Sequence, residues 1–298
     1  MSQVSLFGEL LECLSSDLVL LPDKPEETPE TTLKVLWMQA AGESLSVESA
    51  KKRDLPELNE FQAEKLRASV QQRLRGMPLA YISGRQSFMG MDLMASPEAL
   101  IPRKETELLA GCAIDILQGL DDGKKLSVID VCTGAGNVAL AIAKALENAN
   151  VFASDLSVEA IALAEKNREM HALSDRVGLY TGDLLEPFRK LDLEDGVDMI
   201  TCNPPYISSA KVPAMASEIS EHEPEMAFNG GVFGINLMRK LIAEAPEFIG
   251  SGGYLLFEVG LGQGLAMQKQ VSKLREYDEV KTVADAEENV RVIVARVT

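Results

Sequence analysis

From residue 126 to residue 297, short apolar segments rich in Val and Ile alternate with segments of helical periodicity. The helical segments include residues 138–146, 158–170 and 235–248. This alternation favours right-handed crossovers and a mostly parallel, doubly wound α/β sheet. The predicted strands are residues 127–132, 151–155, 177–181, 197–202, 253–259, 280–283 and 290–297.

The last two predicted strands are separated only by residues 284–289. A parallel crossover needs about a dozen or more residues, so these two strands are expected to pair antiparallel. The fold class is therefore α/β, with a seven-stranded Rossmann-like sheet that ends in a hairpin.

The first part of the chain has a different pattern. Residues 55–75 are helical in spacing, and Gly76 followed by Pro78 ends that helix. We expect a small helical domain over residues 1–76, a β-hairpin linker over 77–104 and the sheet domain over 105–298. A further amphipathic helix is indicated by apolar residues at i, i+3, i+4, i+7 and i+8: Leu33, Leu36, Trp37, Ala40 and Ala41.

Charge and hydropathy limit the class of partner. The 298-residue chain has a net charge of −17, which opposes nucleic-acid binding because that binding depends on Lys and Arg at phosphates. Basic residues cluster at 51–53 and 67–75, and such residues usually form a solvated helix face; a local basic patch there is the alternative interpretation. No apolar run is long enough to span a membrane, and no basic flank marks a secretory signal, so we expect a cytoplasmic protein.

Cysteine and histidine usage argues against a metal centre. The four cysteines have neither metal-type nor disulfide-framework spacing and are expected to be reduced thiols. With only His171 and His222, a histidine-rich metal site is ruled out and a Ser-His-Asp hydrolase is disfavoured. Cys132 and Cys202 are expected to be small buried residues rather than reactive thiols.

The first strand of the sheet leads into a glycine loop, Cys132-Thr133-Gly134-Ala135-Gly136. Glycine permits backbone conformations and close ligand approach that a Cβ would obstruct. Gly134, Gly136 and Ala139 also fit the dinucleotide fingerprint. The loop alone therefore does not distinguish a nicotinamide cofactor from another adenosine ligand, or from a structural turn.

An acidic residue follows each of the next two strands. Asp155 lies about 20 residues after the first glycine, where such folds place an acid at ribose hydroxyls. Asp183, followed by Leu184, can accept a hydrogen bond from an adenine amino group. Each also has a structural explanation, since Asp155 could cap a helix and Asp183 could occupy a turn.

The fourth strand is followed by Asn203-Pro204-Pro205-Tyr206, here called the NPPY loop. The Asn203 side-chain oxygen and the Pro204 carbonyl can each accept a hydrogen bond from a planar NH2 group. The Tyr206 ring can hold that group by its face, and the two prolines stiffen the turn. A bare NPP would otherwise indicate only a turn at the end of a strand.

The coincidence of these four elements is more informative than any one of them. Ligands bind outside the carboxyl ends of the strands in an open α/β sheet, so one adenosine ligand can reach the first three elements. The NPPY loop then lies beside that ligand. A hydride donor does not need those acceptors, whereas S-adenosylmethionine does when a flat nitrogen must face its sulfonium methyl group.

At these motifs the chain resembles the release factor glutamine methyltransferases, the HemK family. The resemblance covers nearly the whole chain, and the linker together with the IPR segment makes it specific. Two positions depart from the family pattern: Lys104 replaces a proline, and Cys132 replaces the first glycine of a GTGSG-like loop. The similar segments are residues 75–84, 101–107, 203–207, 222–225, 229–231, 257–260 and 289–292.

The resemblance implies a class I methyltransferase sheet, with the helical domain recognising the substrate. It implies methyl transfer from S-adenosylmethionine to a glutamine in the GGQ loop of peptide release factors, by a monomer without a metal. Phe88 and Thr106 are implied to lie near the cofactor. Catalysis is assigned to Asn203, Pro204 and Tyr206, and substrate binding to Asn203, Pro204, Pro205 and Tyr206. The cofactor residues are Cys132, Thr133, Gly134, Ala135, Gly136, Asp155, Asp183, Leu184 and Asn203.

Three alternatives remain open at this point. An adenine-N6 methyltransferase on DNA or RNA suits the NPPY loop equally well, because adenine also carries an NH2 on a flat ring. A non-catalytic adaptor could keep the fold without binding cofactor. A nicotinamide dehydrogenase would use the glycine loop alone.

Overall fold

The structure is a computed structural model, and it describes residues 3–121, 123–191, 193, 195–210, 212–231 and 234–298. The α-helices are α1 Gln3–Asp17, α2 Pro29–Ala41, α3 Val47–Ala50, α4 Glu60–Leu74, α5 Leu79–Ser83, α6 Thr106–Leu120, α7 Asn137–Ala145, α8 Val158–Met170, α9 Ser217–His222, α10 Asn236–Glu244 and α11 Gly264–Val271. The strands are β1 Arg85–Phe88, β2 Met91–Met94, β3 Leu126–Val131, β4 Ala149–Asp155, β5 Val177–Thr181, β6 Val197–Cys202, β7 Ile249–Glu258, β8 Tyr277–Ala284 and β9 Val290–Val297.

The large sheet has seven strands in the order β5-β4-β3-β6-β7-β9-β8. The first five run parallel, while β9 pairs antiparallel with both β7 and β8. This confirms the predicted α/β fold, including the antiparallel hairpin at the end. The central strands are buried along their length, as in Ile129, Ile200, Leu255 and Ile293, each 0% exposed, which is typical of a sheet covered on both faces.

Several element boundaries differ from the prediction, most of them by one to four residues. Helix α10 ends at Glu244 and is followed by a 3-10 turn, Ala245–Glu247, because Pro246 cannot donate the next helical hydrogen bond. Strand β7 begins at Ile249, earlier than predicted, and its register with β6 shifts between Val197 and Met199.

The chain divides into two compact units that are both discontinuous in sequence. The first unit contains Met1–Pro97, Ile101–Lys104 and Met215–Glu223, and therefore includes α9. The second unit contains Glu98–Leu100, Glu105–Ala214 and Pro224–Thr298, and includes the large sheet. The three-part division at residues 76 and 104 stays a prediction.

Helix α2 is the centre of the first unit. Thr28 caps its first turn, and Gly42, with φ +102°, ends it in the left-handed region that glycine favours. The predicted apolar face is buried except for the partly buried Ala41. The indole of Trp37 donates a hydrogen bond to the Pro56 carbonyl at 2.9 Å.

Helix α4 starts later than the predicted residue 55. The Asn59 side chain accepts a hydrogen bond from the Gln62 amide, and the Gln62 side chain accepts one from the Asn59 amide. This capping box fixes the first turn at Glu60. Downstream, the predicted hairpin is present, with Phe88 paired to Met91 across a turn at Met89 and Gly90, both at positive φ.

The basic residues of α4 do not form a solvated face throughout. Arg73 is 3% exposed and pairs with Glu27 at 3.0 Å and with Glu218 of α9 at 2.6 Å. Lys24, 5% exposed, also pairs with Glu218. Arg73 therefore departs from the usual solvated arrangement of such basic residues, because its charge is matched inside the unit.

A second buried ion pair lies in the same unit. The Glu223 carboxylate accepts hydrogen bonds from the Arg103 guanidinium and from the Ile101 amide, the latter at 3.0 Å. These contacts join residues 101–103 to residue 223, two segments that contributed to the family resemblance.

Candidate active site

The four polar elements predicted at the strand ends lie on adjacent strands. The order β5-β4-β3-β6 places Asp183, Asp155, the glycine loop and the NPPY loop after neighbouring parallel strands. Because parallel strands share one carboxyl edge, the elements form one row at that edge. The sheet therefore brings the predicted residues together.

The glycine loop is held in a tight turn. The Thr133 amide donates to the Ser154 carbonyl at 3.0 Å, and the Gly136 amide donates to the Thr133 carbonyl at 2.8 Å. Gly134 has φ +54°, and a Cβ added at this position would have no neighbouring atom within 4 Å. A Cβ on Gly136, with φ +84°, would press on Ala164 and Leu140, both at 3.3 Å. Gly134 thus leaves open space, whereas Gly136 allows close helix packing.

Cys132 adopts the conformation that its family counterpart, glycine, would favour. Its φ is +57°, in the left-handed region, which costs a non-glycine residue about 1 kcal/mol or more. The position at which the resemblance expects glycine is therefore occupied here by a residue under backbone strain. Cys202, on the neighbouring strand β6, is fully buried, and burial followed by a hydrogen bond with Cys132 raises the pKa of its thiol.

Asp155 fixes the glycine loop. One carboxylate oxygen accepts from the Gly134 amide at 2.8 Å, and the other accepts from the Ser157 amide at 3.0 Å. Burial raises the pKa of this carboxyl group, while these backbone bonds lower it in part. Each oxygen has a second lone pair for a further donor. Ser157, not Asp155, provides the cap of α8.

Asp183 and Leu184 contribute differently. The Asp183 carboxylate forms an exposed ion pair with Lys240 of α10. The Leu184 side chain is 3% exposed and belongs to the core, so only its backbone can face a ligand. That backbone has φ +49°, and its carbonyl accepts from the Ser154 hydroxyl at 2.8 Å.

The buried carboxyl group of Asp130 stabilises the glycine loop through hydrogen bonds. It accepts hydrogen bonds from the Thr133 hydroxyl at 2.6 Å and the Thr201 hydroxyl at 2.7 Å. Burial raises its pKa to about 6 despite these bonds. Asp130 therefore links β3, the glycine loop and β6.

The NPPY loop is fixed by the segment that follows Phe228. Ile207 and Asn229 form a parallel β-bridge. The Ile207 amide donates to the Phe228 carbonyl at 3.0 Å, and the Gly230 amide donates to the Ile207 carbonyl at 2.8 Å. Backbone hydrogen bonds thus tie the end of the loop to residues 228–230.

Two glycines, Gly230 and Gly234, pack directly on the NPPY backbone. A Cβ on Gly230 would overlap the Pro205 carbonyl oxygen, and one on Gly234 would overlap the Tyr206 carbonyl oxygen. The Gln263 side-chain amide also donates to the Tyr206 carbonyl at 3.0 Å. These contacts fix the backbone of the NPPY loop, and any residue larger than glycine at position 230 or 234 would displace it.

The Asn203 amide is oriented by Thr106, the first residue of α6. Its Nδ2 donates to the Thr106 hydroxyl at 3.0 Å. Among the described residues, neither the Asn203 Oδ1 nor the Pro204 carbonyl takes a hydrogen bond. Two acceptors at the carboxyl edge of the sheet are therefore available to a ligand.

Tyr206 is tied to a buried carboxylate. Its hydroxyl donates to Oε1 of Glu258 at 3.0 Å, and burial raises the pKa of the phenol. Glu258 ends β7 and is 1% exposed; burial raises its pKa to about 7, partly offset by a hydrogen bond from Thr106 and by the Arg291 charge. The Arg291 guanidinium lies 3.6 Å from Glu258 and 3.8 Å from Glu105.

Sequence reasoning missed the residues that support the loops. Asp130, Glu258 and Gln263 carry no motif of their own, although Asp130 precedes the glycine loop and Glu258 lies in a segment that resembles the family. Thr106 was placed near the cofactor but not against Asn203. Phe88 is fully buried at the end of β1, and its role toward a cofactor stays a prediction.

The sheet order and the loops at its carboxyl edge define a class I methyltransferase. Residues 110–245 match the family described as the methyltransferase small domain. A release factor glutamine methyltransferase of Xylella fastidiosa is 39% identical over 233 residues, covering 78% of this chain and 81% of the relative. One of Geobacter sulfurreducens is 37% identical, covering 69% of each. The chain belongs to the release factor glutamine methyltransferase family.

Solved structures agree with the fold. The N-terminal domain of human METTL16, solved in complex with SAH, matches with a TM-score of 0.53 and 16% identity, covering 93% of this chain and 98% of that one. At this identity the likeness is one of fold. Within the described residues, no helix is both long and apolar enough to cross a membrane.

Proposed function

We propose that this chain transfers a methyl group from S-adenosylmethionine to the side-chain amide nitrogen of a glutamine in the GGQ loop of peptide release factors. The observation that carries the proposal is the orientation of Asn203. Its Nδ2 is occupied by Thr106, which leaves Oδ1 as an acceptor beside the glycine loop. Membership of the family, whose members are named for this substrate, supports the same activity.

The residues of the carboxyl edge fit the cofactor. Gly134 faces open space, and Asp155 keeps lone pairs for ribose hydroxyls. When bound, S-adenosylmethionine supplies an electrophilic methyl group on a sulfonium. The residues that would hold it are Cys132, Thr133, Gly134, Ala135, Gly136, Asp155, Asp183, Leu184 and Asn203.

The NPPY loop addresses the low nucleophilicity of an amide nitrogen, whose lone pair is delocalised into the carbonyl. Asn203 Oδ1 and the Pro204 carbonyl accept the two amide hydrogens, and Tyr206 packs against the amide plane. Pro205 stiffens the turn. Holding the nitrogen in line offsets much of its poor reactivity. The proton leaves after methyl transfer, because a methylated amide cation is strongly acidic, so no strong general base is needed.

The adenine-N6 alternative is not favoured. The same acceptors suit an adenine amino group, but the net charge of −17 opposes a polyanionic substrate. We therefore do not expect nucleic acid as a direct substrate. Because release factors act in translation, we place the enzyme in the cytoplasm, and we propose that it works as a monomer.

Labelled S-adenosylmethionine and purified release factors test the proposal. We expect one methyl group on the glutamine of the GGQ motif, located by mass spectrometry. A release factor with that glutamine replaced by glutamate is the matched control, because it lacks the NH2 group. Label that appears on DNA or RNA, or on no GGQ protein, would contradict the proposal.

A further inference from the structure

Three residues of one short segment contact Tyr206. Residues 258–263, here called the 258–263 turn, join the end of β7 to the start of α11. The Tyr206 hydroxyl donates to Oε1 of Glu258 at 3.0 Å, and the Tyr206 carbonyl accepts from Nε2 of Gln263 at 3.0 Å. Gly260 lies against the edge of the ring, because a Cβ added there would be 2.9 Å from Tyr206 Cδ2. A single segment therefore contacts the hydroxyl, the ring and the backbone of Tyr206.

The side chain of Gln263 uses both ends of its amide group. Its Oε1 accepts from the Gly260 amide at 2.9 Å, while its Nε2 donates to the Tyr206 carbonyl. Glutamine suits this bridge because its side chain carries an acceptor and a donor in one plane. Gln263 occupies the cap position of α11, where a polar side chain commonly caps the helix, but it makes no such bond. Its side chain is therefore directed to the NPPY loop and not to the helix.

The turn that carries Gln263 is itself fixed. The Gln263 amide donates to the Gly260 carbonyl at 3.0 Å, and the Val259 amide donates to the Arg291 carbonyl at 2.9 Å. Glu258 and Val259 are buried, so the turn begins inside the sheet. Strand β7 neighbours β6, which leads into the NPPY loop. A rigid strand end can therefore hold the loop that follows the adjacent strand.

We infer that the 258–263 turn positions Tyr206 for methyl transfer, with Gln263 as the positioning residue whose hydrogen bond sets the direction of the Tyr206 ring. The inference rests on the proposed function, in which that ring packs against the plane of the acceptor amide. A tyrosine fixed at both its hydroxyl and its carbonyl keeps its ring in one direction. The NPPY loop thus depends on a segment 52 to 57 positions further along the chain.

Gln263→Glu removes the donor and keeps the size of the side chain. One carboxylate oxygen still accepts from the Gly260 amide, but the other faces the Tyr206 carbonyl oxygen with no proton between them. We expect kcat for a GGQ-bearing release factor to fall by about 10- to 100-fold, because a displaced ring leaves the nitrogen out of line. The KM for the release factor and the Kd of S-adenosylmethionine in calorimetry should stay within about threefold of the wild type.

Gln268→Glu is the matched control. It makes the same change of charge in α11, and Gln268 also donates to a backbone carbonyl, that of Val280. Val280 lies in β8, an edge strand that does not neighbour β6. The kcat of this variant should therefore stay near the wild-type value.

A double-mutant cycle separates positioning of the ring from a structural role. Tyr206→Ala keeps the carbonyl that Gln263 binds but removes the ring. If Gln263 acts through the ring, Gln263→Glu should lower kcat by less than about threefold in the Tyr206→Ala background. A general effect on the fold would lower kcat by the same factor in both backgrounds.

Gly260→Ala tests the contact with the ring independently of Gln263. The added Cβ would press on the ring edge, and we expect kcat to fall by at least about tenfold with cofactor affinity retained. Gly119→Ala in α6 has open space for its Cβ and should keep the wild-type kcat.

The outcomes distinguish the two proposals. If the wild type methylates no GGQ protein, the proposed function fails and this inference fails with it. If the wild type is active, the positioning role alone is wrong when Gln263→Glu keeps the wild-type kcat, or lowers it equally in both backgrounds. A loss of cofactor affinity as large as the loss in kcat would also overturn it, as would a fully active Gly260→Ala enzyme.

Discussion

At the scale of single residues, the site depends on which hydrogen-bonding atoms are already used. Asn203 donates through Nδ2 to Thr106, and both oxygens of Asp155 accept from backbone amides. The Asn203 side chain could instead have used its Oδ1 in a hydrogen bond within the protein, and then this acceptor would not face a ligand. The sequence predicted these positions, but only the structure shows that Oδ1 of Asn203 is left for a ligand.

Asn203→Ala removes the acceptor without enlarging the side chain. We expect kcat to fall by at least about 100-fold, because the amide nitrogen is no longer held in line. Asn150→Ala, at the amino end of β4, is the control and should retain activity. Methyl transfer to a release factor measures both, and an active Asn203→Ala enzyme would remove Asn203 from the mechanism.

Asp130 makes stability depend on pH. Burial raises its pKa from 3.8 to about 6. Between about pH 4 and pH 6, Asp130 is therefore protonated in the folded state and ionised in the unfolded state. Its contribution to stability is therefore fully present below about pH 4 and is lost as pH rises through about 6. The loss is about 3 kcal/mol.

Asp130→Asn removes the titrating group and therefore tests whether stability falls as pH rises. From pH 4 to pH 7, the free energy of unfolding of the wild type should fall relative to that of the variant, as measured by urea denaturation. A difference between the two proteins that is independent of pH would show that Asp130 has an ordinary pKa.

At the scale of elements, strands were predicted more accurately than the contacts that support their loops. Short, mostly apolar runs bounded by turn residues marked β5, β6 and β9 with their observed bounds, because this pattern is typical of strands. The start of α4 was missed, since the capping box at Asn59 overrides the apolar residues before it. Glu258 reaches Tyr206 across 52 positions of sequence, and no local pattern records such a contact.

Gly230→Ala tests how residues 228–231 and Gly234 support the NPPY loop. The added Cβ would overlap the Pro205 carbonyl and lie 2.7 Å from the Gly234 Cα. Both are backbone atoms, so the loop must move. We expect kcat to fall at least about tenfold, with stability lower by about 1–3 kcal/mol. Gly111→Ala in α6 has open space for its Cβ and should keep full activity; equal kcat values for the two variants would contradict this support role.

At the scale of the whole molecule, the first unit cannot be completed by contiguous residues. Its buried Lys24 and Arg73 pair with Glu218, and Arg103 pairs with Glu223. A fragment that ends at the predicted boundary, residue 104, would lack both acidic partners, Glu218 and Glu223. Glu223, which lies in one of the segments that resemble the family, thus has a structural role in the first unit that the sequence analysis did not assign to it.

A chain that ends at residue 104 is expected to be unstable. Loss of a partner from a buried ion pair costs about 3–5 kcal/mol, a large part of the roughly 5–15 kcal/mol that stabilises a typical domain. Circular dichroism and thermal melting measure the result. Replacing Lys24 by Met in the same fragment removes the cation left over when Arg73 pairs with Glu27, and should recover part of the stability. A fragment that melts as cooperatively as this variant would show that α9 is dispensable.

The pairing of Lys24 with Glu218 spans 194 positions, and that of Arg73 with Glu218 spans 145. Domains generally fold in order as they leave the ribosome. Until Glu218 is synthesised, more than two thirds of the way along the polypeptide, Lys24 and Arg73 share the buried carboxylate of Glu27, and one of the two positive charges is unmatched. Complete ion pairing of the helical unit is thereby coupled to translation of β3 through β6, which precede Glu218 in the sequence.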